Sequence, residues 1–364
     1  MSRLRMAVIG VGHLGKEHAR ILASLPDVEL VGVVDVNSDQ AQAVARQWNT
    51  RAYSAAWPLV NLVDAAVIAV PTCHHHAEAR PFLECSIPLL IEKPLAASSP
   101  EAEDLVRLAE RQGTFVQVGH IERFNPAFEE LQQRPMQAKF VECERLGRFT
   151  GRSLDIGAVL DLMIHDIDLL LTMAQSPVTD VQAVGATVFG GQEDLVNARL
   201  SFANGCVANL TASRLSPKPV RRMRIWSPEG YARLDFARRR LSLVQPSAEL
   251  RHGALDPRRL APAQRTGLQH DLFGTHLQVL DLDCNQGDQL TRELQDFVES
   301  VQTGRPPRVT GQDGCNAVAV AGLILEKVRT HLWEGKSDGR MGPTQMPPPL
   351  GWLFQAGEER EAAA

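Results

Sequence analysis

Residues Ala7–His18 read AVIGVGHLGKEH: an apolar run enters a turn with Gly10, Gly12 and Gly15, and a helical pattern leaves it. A glycine triplet of the form G-x-G-x-x-G says little alone, but between a first strand and a helix it carries a mechanism. The first glycine permits the tight turn, the second lets the backbone approach a pyrophosphate, and the third lets helix and strand pack closely. The helix N-terminus, reached through His13 and Leu14, then offers free N–H groups and a partial positive charge to phosphates. This fingerprint also calls for an acidic residue about 20 residues on, ending the second strand, to accept from a ribose. Asp35, in VGVVDVNS, stands at that place. A carboxylate repels a 2′-phosphate, and Val36, Asn37 and Ser38 bring no cation, so the expected cofactor is NAD rather than NADP.

Working outward, RMAVIG, VELVGVVD, DAAVIAVP, IPLLIEKP and TFVQVGH read as nearly continuous apolar strands, with helical patterns between them. That alternation predicts a parallel sheet covered on both faces, and right-handed crossovers make it a doubly wound Rossmann fold. Residues 1–120 are assigned to this α/β domain. Residues 121–335 are expected to form a second α/β domain with an open, largely antiparallel sheet. Its strands are read in QAKFVECERLG, VTDVQAVGATVF, LVNARLSFANGCVANLTASR and VRRMRIWSPEGYARLDFARRRLSLV, with NG and PEG as turns. Two helices follow, DQLTRELQDFVESVQTG and GQDGCNAVAVAGLILEKVRTHLWEG. Residues 247–287 read as an irregular insertion rich in Pro, Arg and Gln, and 336–364 as a loose tail.

The chain has 364 residues, a length that favours two cores. Its net charge of −5 gives no electrostatic case for nucleic acid or an anionic membrane. No apolar run approaches the roughly 20 residues that span a bilayer, and the start is too short and glycine-rich in its apolar part for a signal peptide. Six scattered cysteines fit a reduced, cytoplasmic protein.

A second stretch, GAVLDLMIHDIDLLL from Gly157 to Leu171, places Asp161, His165, Asp166 and Asp168 in a mostly apolar helix. Helical spacing stacks Asp161, His165 and Asp168 on one face and sends Asp166 elsewhere. Burying unpaired charges is costly, so three readings stand: a satisfied polar cluster, a divalent metal site, or an acid–base site. Other ligand-facing segments fall at strand C-termini, where open α/β sheets bind ligands: Pro71 and Thr72, then Glu92 and Lys93. In CHHH, Cys73 to His76, neighbouring side chains at a helix start diverge, so no metal is expected; the run is either an exposed helix start or gives one cofactor contact, for which His75 is the choice. Arg123 and Asn125 in ERFNP, Arg148 and Arg152 around GRFTGR, and Arg214 in TASR are candidate phosphate or sugar contacts.

Together the glycine turn, EKPLA after a strand, and D-x-x-x-H in the next domain resemble the Gfo/Idh/MocA oxidoreductases. The resemblance covers about residues 1–235 and ELQDFVESVQTGRPPRVTGQDG. It implies oxidation of a sugar or cyclitol hydroxyl with NAD(P), a homo-oligomer (dimer or tetramer) built on the open sheet, and a catalytic set of Lys93, Asp161 and His165. Within the family, GHIERFNPAFEEL and FTGRSLDIGAVLDLMIHDIDLLL look like the bacterial UDP-N-acetylglucosamine 3-dehydrogenases. That implies a UDP-sugar substrate and a 3-keto product passed to a partner aminotransferase for the 3-amino sugar of lipid A. His165 is then the base, Lys93 the donor to the substrate oxygen, and Asp161 orients the sugar or the imidazole. Asp168 either fixes the histidine tautomer or pairs with an arginine, and Asp166 makes a structural salt bridge. The rival readings are a free-sugar or inositol dehydrogenase and a non-catalytic NAD-bound sensor; a sensor has no need of all three catalytic residues.

Overall fold

The computed structural model describes residues 3–151, 155–189, 191–253, 255–285 and 287–331. Six parallel strands form the first sheet: β1 (Leu4–Ile9), β2 (Val28–Val34), β3 (Arg51–Tyr53), β4 (Ala65–Ile68), β5 (Leu89–Glu92) and β6 (Val116–Gly119). Their order, β3-β2-β1-β4-β5-β6, reverses direction beside β1 and so opens a crevice at the strand C-termini. Strands β4 and β5 are buried at every residue, which is why they read as unbroken apolar runs. Helices α1 (Gly15–Ser24), α2 (Ser38–Gln47), α3 (His75–Glu84) and α4 (Ser99–Arg111) cover the faces. Asn37 caps α2, accepting from the Asp39 and Gln40 amides at 3.1 and 3.2 Å. Strand β3 escaped the sequence reading because three residues at a sheet edge leave no period to detect.

The second unit opens with α5 (Pro126–Gln132) and β7 (Phe140–Arg148). One π turn over Val159–Met163 then runs into α6 (Ile164–Ala174). Strands β8 (Val178–Ala186), β9 (Leu195–Phe202), β10 (Val207–Ser213), β11 (Leu215–Ser227), β12 (Gly230–Asp235) and β13 (Arg240–Pro246) follow. With a last strand β14 (Leu277–Asp283), the eight-stranded sheet, β14-β13-β12-β11-β7-β10-β9-β8, is antiparallel except where β10 runs parallel to β7.

Residues 247–287, expected as a structureless insertion, contain α7 (Ala248–Arg251), α8 (Pro262–Asp271) and β14 (Leu277–Asp283). Helix α8 buries no residue, so its sequence carries no apolar stripe to read. Strand β14 is an edge strand held to β13 by a polar ladder, with Arg240 opposite Asp283 and Ser242 opposite Asp281.

Two helices close the described chain, α9 (Gln289–Thr303) and α10 (Gly311–Thr330). The sequence reading gave both to the second domain. Instead, Leu290, Leu294 and Phe297 of α9 pack with Met6, Val8 and Leu90 on the first sheet. Buried Glu293 on α9 accepts from Gln117 Nε2 through its backbone carbonyl at 3.1 Å. Among the described residues, neither oxygen of the Glu293 carboxyl has a partner. Helix α10 lies in a continuous apolar core with α4, α6 and the second sheet, so the two units share one interior. Among the described residues, no helix is long and apolar enough to cross a membrane.

Candidate active site

The glycine turn has the geometry its sequence requires. Gly10 sits at φ +86°, and a Cβ there would lie 2.7 Å from the Ala69 carbonyl oxygen. A Cβ on Gly15 would meet the Gly10 carbonyl at 1.8 Å, so α1 and β1 pack through that glycine. At Gly12 a Cβ would meet nothing within 4 Å: its backbone faces open space at the start of α1. Asp35 accepts from the Val11 and Asn37 amides, both at 2.9 Å, which holds the end of β2 against the turn. Each carboxylate oxygen keeps acceptor capacity for a hydroxyl. An unobstructed backbone at a helix N-terminus with a carboxylate beside it fits a dinucleotide.

A cleft of about 900 Å³ runs from this turn into the second unit. The first unit lines it with Gly12, His13, Leu14, Pro71, Thr72, His75, Glu92 and Lys93, and the second with Asp161, His165, Arg145, Arg148, Phe149, Arg214 and Arg221. Glu92 and His75 also hold the frame. Glu92 Oε1 meets His18 Nε2 of α1 at 2.6 Å. Burial alone would raise the Glu92 carboxyl, but the hydrogen bond and charge of His18, with Lys93 and His75, hold it below the usual range. The His75 ring spans the carbonyls of Pro94 and Val70, each at 2.9 Å, and so joins the two cofactor-side loops. His76 turns away to Asp104 at 2.8 Å. Among the described residues, no three His, Cys, Asp or Glu side chains are placed to hold a metal ion.

In the middle of the cleft, Lys93 Nζ donates to the Asp161 carbonyl at 2.7 Å and to its carboxylate at 3.1 Å. Asp161 therefore orients the lysine, where the sequence reading had it orienting sugar or imidazole. It lies in the π turn, in which the Ile164 amide reaches back five residues to the Val159 carbonyl. Such turns recur at functional sites. His165 follows on α6. Burial, then the positive charge of Lys93 and Arg145, pushes its imidazole well below the ordinary value of 6.5, so it is neutral and able to take a proton.

The remaining carboxylates of this segment are taken up by buried arginines. Asp168 receives Arg123 through both oxygens, at 2.7 and 2.8 Å. Asp166 receives Arg145 at 3.1 and 2.8 Å, and Arg145 also reaches Glu122 at 2.8 Å. Asp168 is thus an arginine partner and not the group that fixes the His165 tautomer. Arg123, expected to contact substrate, is committed to this pair. Asn125, from the same motif, caps α5 by accepting from the Ala127 amide at 3.1 Å and is fully buried. Arg148 and Arg214 do line the cleft, donating to the carbonyls of Pro217 and Ile156. Arg152 lies outside the described residues. The sequence reading missed Arg145 and Arg221. In β7, Val141, Cys143 and Arg145 share the buried phase of an alternating strand; an arginine in that phase is a signal, and Arg221 offers none.

Comparison with known proteins gives the family. The profile described as "Oxidoreductase family, NAD-binding Rossmann fold" matches residues 4–120, and the GFO/IDH/MocA C-terminal domain matches 130–233. A UDP-N-acetylglucosamine 3-dehydrogenase of Acidithiobacillus ferrooxidans is 35% identical over 333 residues, 91% of this chain and 99% of its own. The chain belongs to the GFO/IDH/MocA oxidoreductase family. Like other family members it is an NAD-binding oxidoreductase. A solved structure of that Acidithiobacillus enzyme superposes with a TM-score of 0.79 at 34% identity, covering 90% of this chain and 98% of the other. Bacillus subtilis scyllo-inositol 2-dehydrogenase (NAD(+)) is 25% identical over 337 residues, 85% of this chain and 90% of its own.

Proposed function

We propose that the chain is an NAD-dependent dehydrogenase that oxidises a secondary hydroxyl of a nucleotide sugar, the 3-hydroxyl of UDP-N-acetylglucosamine. The observation that carries this reading is the meeting of Lys93, Asp161 and His165 in one cleft, between the glycine turn and a wall of arginines. NAD, when bound, supplies the acceptor for the hydride that leaves carbon. The remaining work falls to this chain. Gly12, His13 and Leu14 hold phosphates at the start of α1, and Asp35 accepts from ribose hydroxyls. Pro71 and Thr72 shape the cofactor side of the cleft. Neutral His165 takes the hydroxyl proton. Lys93, steadied from two sides by Asp161, donates to the substrate oxygen and keeps positive charge beside it as alkoxide character grows.

Arg148, Arg214 and Arg221 suit a diphosphate, which takes charge-assisted hydrogen bonds that a free sugar lacks. This favours a nucleotide sugar over inositol, as does the higher identity to the UDP-sugar enzyme. A 3-keto product is the substrate of an aminotransferase, and the 3-amino sugar would serve lipid A. The six cysteines are all free, which suits the cytoplasm, and the open face of the second sheet suits pairing of copies into a dimer or tetramer.

The test is NADH formation with UDP-N-acetylglucosamine, N-acetylglucosamine and myo-inositol, coupled to an aminotransferase and glutamate to draw off the keto sugar. The UDP-sugar is expected to lead in kcat/KM by about 100-fold, the worth of one or two hydrogen bonds to charged groups. Equal efficiency with the free amino sugar would defeat the nucleotide-sugar reading and leave the dehydrogenase standing.

A further inference from the structure

His165 can take a proton at Nε2 only if Nδ1 carries the ring hydrogen, and a buried N–H needs an acceptor. Asp168 is closed to that role by Arg123. Among the described residues, the buried His165 Nδ1 has no partner at all. The neighbouring ring is His120, one residue past the end of β6 and 1% exposed. The two rings meet edge to face, with centroids 6.4 Å apart and planes at 80°. Neither nitrogen of His120 has a partner among the described residues.

Two neighbouring rings thus carry three buried, unpaired nitrogens, an expensive arrangement unless something links them. A direct N–H···N bond would draw the centroids to about 5 Å. The observed 6.4 Å is too long for that and leaves room for one bridging water between the rings.

We infer that His120 is the positioning residue of the base: through one bridging water it accepts the Nδ1–H of His165 and leaves Nε2 as the proton acceptor in the cleft. The carboxylate near His120, Asp168, is already taken by Arg123, which leaves a neutral ring as the available partner. Lys93, Arg145 and Arg221 act on His165. Asp168, Arg123, Lys93 and Asp313 act on His120, with Asp168 already paired to Arg123. Burial, the largest influence on both rings, pushes each below the ordinary histidine value, so the pair starts uncharged. Given the dehydrogenase reading above, the substrate proton comes to rest on His165. Its positive charge is then shared along the Nδ1–H link, and the proton leaves by the cleft after product.

The test is long-range ¹H–¹⁵N NMR of the NAD-bound protein with labelled histidine, which reports the tautomer of each ring. Wild-type His165 should be mainly the Nδ1–H form. His120→Phe keeps the ring and removes both nitrogens. It should shift His165 toward Nε2–H, lower kcat about tenfold and move the acid limb of the pH profile to lower pH. KM and the Kd for NAD should stay within about twofold of wild type. His120→Gln, which can still accept, should restore most of the loss. A wild-type His165 found mainly as Nε2–H overturns the assignment without any variant, even if His120→Phe does not fold. An unchanged tautomer and kcat in His120→Phe overturns it equally. The tautomer measurement needs no sugar, so a failed UDP-sugar assay would strike only the substrate reading.

Discussion

Lys93 and Asp161, 68 positions apart in sequence, join the end of the first sheet to the helix of the second unit through two hydrogen bonds, one to a carbonyl and one to a carboxylate. The two acceptors are not equally replaceable. Asp161→Asn keeps the carbonyl and an amide oxygen, so it should lower kcat by only about tenfold. Lys93→Met removes the donor proposed for the developing alkoxide and should lower kcat by about 10²–10³-fold. Both variants should bind NAD within about threefold of wild type by fluorescence titration. Lost NAD binding with unchanged turnover at saturation would move Lys93 from the substrate to the cofactor.

His165→Ala should retain NAD binding and lose about 10²–10⁴-fold in turnover, the usual worth of general-base catalysis. The wild-type pH profile carries a second check. A base held well below 6.5 remains unprotonated through mildly acid solution, so kcat/KM should stay level there and fall only at lower pH. A midpoint at or above 6.5 would contradict the burial of this imidazole.

Asp35→Ala combined with Ser38→Arg should move the preference from NAD toward NADP by tenfold or more, about the effect of one hydrogen bond to a charged group. Asp35 also anchors the Val11 and Asn37 amides, so some loss of affinity for both cofactors accompanies the switch. The ratio of the two efficiencies is the quantity to measure, and a constant ratio would remove Asp35 from the ribose.

Arg145 is buried with Asp166 and Glu122 as its partners. Arg145→Met leaves two carboxylates without their cation and should cost about 3–5 kcal/mol in urea unfolding. Adding Asp166→Asn and Glu122→Gln should return part of that stability, because the three groups act as one unit.

Glu293 gives a prediction of opposite sign. Burial, with the charges of Glu92 and Asp296, raises its carboxyl well above the ordinary 4.5. The folded state therefore holds that proton where the unfolded chain has lost it, and stability drains away as pH rises past 4.5. Glu293→Gln escapes this, so thermal melts should show it gaining on wild type as pH rises, by roughly 1–2 °C per kcal/mol recovered. An equal gap at about pH 5 and pH 8 would show that Glu293 does not titrate differently on folding.

The Rossmann half was legible because its signals are local: Gly10 and Gly15 each answer a steric demand within one turn, Gly12 leaves its backbone open to a ligand, and buried parallel strands announce themselves as apolar runs. The proposed trio of Lys93, Asp161 and His165, which lines one cleft, was named through family resemblance, whereas spacing alone left three readings of the Asp161–Asp168 segment. What stayed hidden depends on distant partners. Nothing near Arg123 reveals that Asp168, 45 positions away, will claim it. Helix α9 reads as amphipathic, but its periodicity does not say which sheet it covers. Strand β14, LQVLDLD, is largely apolar, but it is short, sits inside a stretch rich in Pro, Arg and Gln, and leaves Val279 and Leu280 exposed at the sheet edge, so no burial pattern marks it.

The π turn at Val159–Met163 gives the site a phase. One residue more than an α turn rotates everything on its N-terminal side by about 100° relative to α6. Asp161 and His165 are therefore set by where an extra residue was accommodated as much as by which residues were chosen. Shortening the turn by one residue would keep every catalytic side chain in the sequence while aiming Asp161 away from Lys93. Among relatives, enzymes with the same D-x-x-x-H letters could thus differ in chemistry through helix winding alone.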